Sequence, residues 1–462
     1  MPTSYDLLVI GGGAGGLVAA REARRRGASC LIVQDGPVGG DCTFTGCVPS
    51  KALIAAANRG ESFDDAMSAV RRAIERVAAT EDATALSRAG IEVIDGRARV
   101  VAPDAVEVDG TRIRCRNLVV ATGSRPAMPP IAGLAELGPL TNETLFDTSP
   151  RPESLVILGG GPIGCEMAQA FARLGTRVTL IEALDRLLGN EEPDASKVVS
   201  EALSDDGVTV ITGATVERAE RLEDGTVRMH LADGAPVAAA ELLVATGRVP
   251  SGHGIGLEEI GVEVDQRGAV VVDATMATSV RGVWAVGDVT GGMAFTHVAG
   301  RQGWVAASNA LAKLARLHRF RFDPTAVPWV TFTSPEVGRV GLTEAEAADH
   351  HPRARVAHLD LTHVDRAVAS GDERGFVKLI AAPKLGVRHL GGGRIIGATV
   401  VAPTGGDLIH EAALAMQTRM FAGRLAQTTH AYPSWAMAIQ QAALAFFGSS
   451  AGVEARPVRG AG

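Results

Sequence analysis

The sequence predicts an α/β fold of about three domains in which one strand–turn–helix unit is used twice. Three observations carry that expectation. At 462 residues the chain is too long for a single core. A glycine-rich turn follows an apolar strand at Gly11 and again at Gly159. Two later apolar strands end in the same triplet, Ala121-Thr122-Gly123 and Ala245-Thr246-Gly247.

The first strand, Tyr5 to Ile10, runs into Gly11-Gly12-Gly13-Ala14-Gly15-Gly16 and then into a helix expected from Leu17 to Arg26. Gly11, Gly13 and Gly16 fit the dinucleotide fingerprint of a Rossmann unit: one for the tight turn, one for backbone approach to pyrophosphate, one for close helix–strand packing. A phosphate then sits on the helix N-terminus. Cys30 to Val33 is the next strand. Ile91 to Val108 reads as a meander of short strands turning near Pro103-Asp104. The second unit repeats the order, with Leu155–Leu158, then Gly159-Gly160-Gly161-Pro162-Ile163-Gly164, a helix to about Leu174, and the strand Arg177–Ile181. One such turn is weak evidence of a ligand, whereas two with matched internal spacing argue against empty tight turns. Glu182 ends the second strand of this unit, where a carboxylate accepts from an unphosphorylated ribose, so NADH is expected over NADPH. Arg186 nearby complicates that preference. The same offset from Gly11 lands on Gln34, which can bond a ribose through its amide but without charge. Val283 to Asp288 is a strand ending in an exposed acid.

Composition excludes several classes. A net charge of −7 argues against a general nucleic-acid partner. No apolar run approaches a membrane span, so no membrane partner is expected. The N-terminus lacks a basic leader followed by an apolar stretch, so the expected location is cytoplasmic. Five cysteines in so long a chain do not make a disulfide framework, and a disulfide in a reducing compartment is more often catalytic than structural.

Two of those cysteines share a glycine-led loop, Gly39-Gly40-Asp41-Cys42-Thr43-Phe44-Thr45-Gly46-Cys47-Val48-Pro49-Ser50-Lys51. So short a loop can close into a disulfide beside one helix start, and Pro49 suits a first helical turn. A thiolate there is expected to have a lowered pKa. The alternatives are two buried cysteines or half of a zinc site, although zinc usually has tighter spacing and a second ligand pair. Cys30, Cys115 and Cys165 fall in strand or helix patterns and read as small core residues.

Taken in order, Gly11–Gly16, Cys42 with Cys47-Val48-Pro49-Ser50-Lys51, Gly159–Gly164, and Gly287-Asp288 with Thr296-His297-Val298-Ala299 make the chain resemble the class I pyridine nucleotide–disulfide oxidoreductases. That family includes dihydrolipoyl dehydrogenase, glutathione reductase and mercuric reductase. The resemblance implies two Rossmann-like domains, binding FAD and NAD(P), plus a C-terminal α+β dimerisation domain. It sets the FAD-binding domain at residues 1–148 and 272–324, the NAD(P)-binding domain at 149–271, the dimerisation domain at 325–448 and a flexible tail at 449–462. Phe332 to Glu336 and Gly397 to Val401 look like dimerisation-domain strands, and Asp407 to Met416 like one of its helices. The cofactors implied are FAD and NADH, with NADPH possible, and no metal. The binding residues implied are Gly11, Gly13, Ala14, Gly15, Gly16, Gln34, Gly40, Asp41, Cys42, Lys51, Ala121, Thr122, Gly123, Gly159, Gly161, Ile163, Gly164, Glu182, Gly247, Arg248, Gly287, Asp288, Thr296, His297 and Ala299. The family places Asp288 on the flavin ribityl chain, Ala299 near the pyrimidine, and the Lys51–Glu166 pair beside flavin N5. Cys47 would be the sulfur nearer the ring, and Cys42 the outward thiolate of a redox-active pair. A homodimer is implied.

The chain departs from the disulfide-reducing members at Thr429-His430-Ala431-Tyr432-Pro433-Ser434-Trp435-Ala436-Met437. Aligned on the proline, Tyr432 stands where they carry the acid–base His, and Met437 where they carry its Glu. Ala412 to Val453 holds no Asp or Glu, so no neighbouring carboxylate is expected to orient His430. Loss of a general acid–base group costs about a hundredfold or more. A disulfide acceptor needs a proton on its leaving thiolate, whereas a metal ion or quinone does not need it in the same way. Tyr432 is similar to the mercuric-reductase branch, and a soft cation suits thiolate ligands. The vicinal cysteine pair of that branch is missing from Ala451–Gly462. The expected function is therefore mercuric-reductase-like electron transfer to a small-molecule or metal-ion acceptor. The first alternative is a thiol–disulfide reductase or dihydrolipoyl dehydrogenase that recruits His430. The second is a low-turnover flavoprotein redox sensor.

Overall fold

The structure, a computed structural model, describes residues 4–312, 320–384 and 389–460. By contact the chain forms two compact units. The first comprises Met1–Pro130, Gly138–Arg151 and Leu243–Asp323; the second comprises Ile131–Leu137, Pro152–Leu242 and Pro324–Gly462.

In the first unit Leu7–Ile10 is the middle strand of a five-stranded parallel sheet, flanked by Cys30–Gln34 and Leu118–Val120 with Glu92–Asp95 and Val283–Ala285 at the edges. Its four residues are all apolar and all buried because both faces of a parallel sheet are covered. Leu7 and Val9 face the helices Ala14–Arg25 and Thr296–Ala310. Leu8 and Ile10 face the other way, toward Val100, Val106 and Val108 of the meander Ala98–Ala102, Ala105–Val108 and Thr111–Arg114. Each fully buried side chain of this kind contributes about 1.5–3 kcal/mol. The two helices cross closely, since a Cβ on Gly303 would lie 2.2 Å from the Gly15 carbonyl oxygen. The first helix starts at Ala14, three residues before the expected Leu17, so Gly16, the last of the fingerprint glycines, lies inside it.

In the second unit Ser154–Leu158, Arg177–Ile181 and Thr209–Ile211 pair in parallel, with the helix Pro162–Arg173 following the first of them. Val216–Arg221, Val227–Leu231 and Val237–Ala239 form an antiparallel sheet. The C-terminal part is a six-stranded sheet in the order Pro328–Thr331, Glu336–Gly341, Arg394–Ala402, Phe376–Ala382, Arg355–Asp360 and Arg456–Pro457. The helix Gly405–Gln417 packs into its core through Ile409, Ala412 and Ala415.

Two expectations change here. Phe332 to Pro335 is the turn between strands, while Glu336 begins the next one. The tail is not loose over its described residues. Arg456 pairs with Val356, the Arg456 guanidinium meets Glu344, and the Arg459 N–H donates to Glu344 at 3.0 Å. An open strand edge and a buried carboxylate give the tail partners that its composition did not announce. Residues 461 and 462 lie outside the described set.

Candidate active site

The cysteine loop is held on the first glycine turn by backbone. Gly39 N–H donates to the Gly12 carbonyl at 2.9 Å. Gly39 and Gly40 have φ of +128° and +63°, and a Cβ on Gly40 would lie 2.9 Å from Gly13 Cα. Glycine is therefore required for both conformation and approach. Cys42 sits inside the short helix Gly40–Phe44, and Cys47 is the first residue of the helix Cys47–Asn58, with Pro49 in its first turn. Both carry thiols; Cys42 is half-buried and Cys47 exposed. Cys47 Sγ lies 3.3 Å from Thr296 Oγ1, at the head of the Thr296–Ala310 helix. Hydrogen bonding with Cys47, followed by burial, pushes the Cys42 thiol above its ordinary range. That reverses the expected lowering: Cys42 does not belong to the helix whose N-terminus was to stabilise it. Lys51, one turn after Cys47, donates to Ser50 Oγ at 3.2 Å. Burial pushes Cys30 and Cys115 up to about 12 and raises Cys165 as well, as befits unreactive core thiols.

The first nucleotide turn is shaped for a phosphate. A Cβ on Gly16 would sit 1.9 Å from Gly11 O, and one on Gly11 2.2 Å from Ala121 O. Gly15 lies against Val286 and Ala299. Gly13 caps the helix that begins at Ala14 without a side-chain hydrogen bond, which leaves its first N–H groups for an anion. Gln34 Oε1 accepts from Gly12 N–H at 2.5 Å, and its Nε2 donates to the Asp35 carbonyl at 2.8 Å. Thr122 Oγ1 donates to Ser251 O at 2.8 Å, and Gly123 and Gly247 take φ of +69° and +131°. Gly287 N–H donates to Gln302 at 2.7 Å, and the His297 ring stacks on Phe295 at 5.5 Å.

Arg248 organises one end of the site. Its Nε donates to Ser124 Oγ at 2.7 Å, and that hydroxyl donates to Asp288 at 2.6 Å. Its other nitrogens reach the Ser124 carbonyl, Asn142 and Asp41. Asp288 is half-buried rather than exposed. Gly11, Gln34, Thr122, Arg248 and Asp288 line one cavity of about 800 Å³. An uncapped helix start and a glycine cradle beside a cavity of this size fit a flavin dinucleotide. Ser124 and Asn142 escaped sequence reasoning. Ser124 directly follows the Ala-Thr-Gly triplet and could have been read from it, whereas Asn142 carries no local signal.

The second turn has the same construction. Gly159 has φ of +110°, a Cβ on Gly164 would lie 1.9 Å from Gly159 O, and Gly161 caps its helix without a side-chain bond. Ile163 is exposed beside it. Glu182 accepts from Gly160 N–H at 2.6 Å and from Leu184 N–H at 2.8 Å, which fixes its carboxylate at the turn. Arg186 points away, onto the Gly189 carbonyl. Glu166 is buried and accepts from Phe332 N–H at 2.8 Å. Lys51 belongs to the first unit and Glu166 to the second.

His430 is not without a carboxylate. Its Nε2 lies 3.0 and 3.2 Å from the two oxygens of Glu411, one position outside the acid-poor stretch, and its side chain is only 6% exposed. Nδ1 lies 2.9 Å from the Thr428 carbonyl. A carbonyl only accepts, so Nδ1 donates, and Nε2 is taken up by Glu411 whichever of the two holds the shared proton. Tyr432 is 70% exposed, and its phenol is pushed up by a hydrogen bond to Asp365.

Over residues 5–303 the chain matches the family described as pyridine nucleotide-disulphide oxidoreductase, and over 327–443 that family's dimerisation domain. The chain belongs to this family. It is 37% identical to mercuric reductase of Streptomyces lividans over 469 residues, covering 96% of each chain. It is 34% identical to dihydrolipoyl dehydrogenase of Geobacillus stearothermophilus over 451 residues, covering 93% of each. Among solved structures it is similar to the Cu(II) complex of HOCl-induced flavoprotein disulfide reductase RclA from Escherichia coli, with a TM-score of 0.87, 28% identity, and coverage of 96% of this chain and 99% of that one. As a pyridine nucleotide-disulphide oxidoreductase the chain is an enzyme dependent on FAD and NAD(P)H, and its dimerisation domain supports a homodimer. Among the described residues no helix is long and apolar enough to cross a membrane, and no group of three or more His, Cys, Asp or Glu is placed to hold a metal ion.

Proposed function

We propose that this enzyme passes electrons from NADH through the Cys42–Cys47 pair to a soft, thiophilic metal cation. The occupation of both His430 ring nitrogens carries the choice of acceptor. With Thr428 and Glu411 engaging them, His430 offers no nitrogen to a thiol. A disulfide acceptor needs that acid–base group, and a divalent soft cation does not. The similarity to a mercuric reductase and to a flavoprotein crystallised with Cu(II) supports the same reading.

FAD, when bound, accepts two electrons from the nicotinamide and makes them available to sulfur. The chain's own residues do the rest. Gly13 and Gly161 present uncapped helix starts to the two dinucleotides, and Glu182 holds an unphosphorylated ribose. Two electrons break the Cys42–Cys47 disulfide, and two protons complete the thiols. The dithiol then binds the cation, gives it two electrons and recloses, returning the protons to solvent. Lys51 with Glu166, and Tyr432 at the acceptor side, keep the roles the family resemblance implies, as do the domain boundaries 1–148 with 272–324, 149–271 and 325–448.

An acceptor panel tests the proposal. Mercuric ion in excess thiol, lipoamide, glutathione disulfide and a quinone are each assayed with NADH and NADPH. The expected result is NADH-driven turnover with mercuric ion, abolished in Cys42→Ser, and about a hundredfold slower with either disulfide. Faster turnover with lipoamide or glutathione disulfide, lost in His430→Ala, would overturn it in favour of a disulfide reductase.

A further inference from the structure

The stretch after Glu182 is fastened at both ends. Near the glycine turn, Glu182 accepts from the backbone N–H groups of Gly160 and Leu184, and Leu188 N–H donates to the Gly160 carbonyl at 2.9 Å. At the far end, Asn190 to Asp194 runs into a cluster of buried charge on the C-terminal sheet. Arg339, 5% exposed, reaches the Asn190 carbonyl and lies 3.7 Å from Glu191. Trp329 Nε1–H donates to Glu191 at 2.7 Å. Lys378, 2% exposed, lies 3.0 Å from Glu192 and 2.9 Å from Asp194, and Glu192 also accepts from Glu344 N–H at 2.7 Å. All of these residues belong to the second unit.

Buried ion networks are weak evidence for stability, because well-packed apolar residues often serve as well. Removing one partner is different, since it strands a charge in a dry interior. The stranded charge here would be Glu192, on the segment that carries Leu188 back to Gly160. The least costly escape is for that segment to lift into water, and the same movement undoes the far wall of the second nucleotide turn.

We infer that Lys378 and Arg339 are positioning residues for the nicotinamide nucleotide, acting through Asn190–Glu192 on the loop that seats it. The inference rests on the reading that the Gly159–Gly164 turn and Glu182 hold that nucleotide. Neither residue need touch the ligand.

The test is calorimetric titration of the flavin-loaded enzyme with NAD+, paired with steady-state kinetics. Lys378→Met should weaken NAD+ binding and raise KM for NADH by about fivefold or more, with kcat at saturating NADH and flavin content unchanged. Lys378→Arg should restore binding to within about twofold, since it returns the charge. Glu192→Gln keeps the side chain's shape and strands no anion, but it removes the ion pair that ties the segment to Lys378. It supplies a second arm if Lys378→Met does not fold, and is expected to weaken NAD+ binding by about threefold. A lower melting temperature with NAD+ affinity and KM unchanged in these variants would overturn the inference and leave a merely structural cluster. If wild-type enzyme failed to bind NAD+, the reading of the second turn would fall instead, so the two failures are distinguishable.

Discussion

Cys42 illustrates how a single side chain answers to its neighbours rather than to its segment. Its thiol is raised first by the hydrogen bond with Cys47 and then by burial. In the reduced protein, alkylation of Cys42 followed by peptide mass spectrometry should accelerate with pH about a midpoint above the ~8.5 of an unperturbed thiol. A midpoint below that value would contradict the hydrogen-bonded pair. The sequence argument failed here because helix-terminus stabilisation reaches only the first turn of its own helix, and the glycine-led loop folds Cys42 into a separate helical turn. Glu411 was invisible for another reason. It stands 19 residues before His430, and a carboxylate delivered from a helix so far back in the chain leaves no mark in a local window. Glu182 was legible because strand end and glycine turn sit at a spacing the Rossmann unit fixes, and the backbone around Gly160 binds its carboxylate directly.

Among elements, the two strand–turn–helix units were the most readable, because their glycines answer a steric demand. Gly16 and Gly164 each leave a Cβ no room beside the carbonyl of their turn's first glycine. The crossing of Ala14–Arg25 with Thr296–Ala310 was not readable, since it depends on Gly303 meeting Gly15 from far along the chain. Glu22 helps fix that crossing. It is 5% exposed, paired with Arg25 and Arg26 at 2.6 Å each, and accepts from Ser308 Oγ at 3.1 Å. Arg25, then Arg26 and Ser308, hold its carboxyl down to about 2 against an ordinary 4.5. A depressed carboxyl contributes stability above the unfolded value, and that contribution is lost as pH falls through the folded one. Because Arg25 is largely exposed, solvent screening limits the effect. Glu22→Gln should therefore lower unfolding free energy at neutral pH by roughly 1–2 kcal/mol, with the difference shrinking between about pH 4.5 and pH 2. Urea titrations at both ends of that range check it, and an equal loss at each pH would contradict the ionic assignment.

At the scale of the molecule, composition and motif order were enough to reach an α/β chain with two nucleotide units, and the family resemblance added the C-terminal domain with its strands. What they missed lies where distant segments meet. The strand Arg456–Pro457 closes the edge of the six-stranded sheet, and its signal is an arginine that matters only once Glu344 is placed beside it. The Lys378 cluster likewise draws Glu192 and Glu344 together from separate chain segments of the second unit. The central claim concerns electrons rather than packing: the flavin and the sulfur pair act together as one store. Anaerobic titration of the flavin-loaded enzyme with NADH, read by absorbance, measures that store directly. The account predicts uptake of about two equivalents per flavin in the wild-type protein and about one in Cys42→Ser, since each reducible centre takes two electrons. Uptake of a single equivalent by both proteins would show that no electrons reach the cysteines.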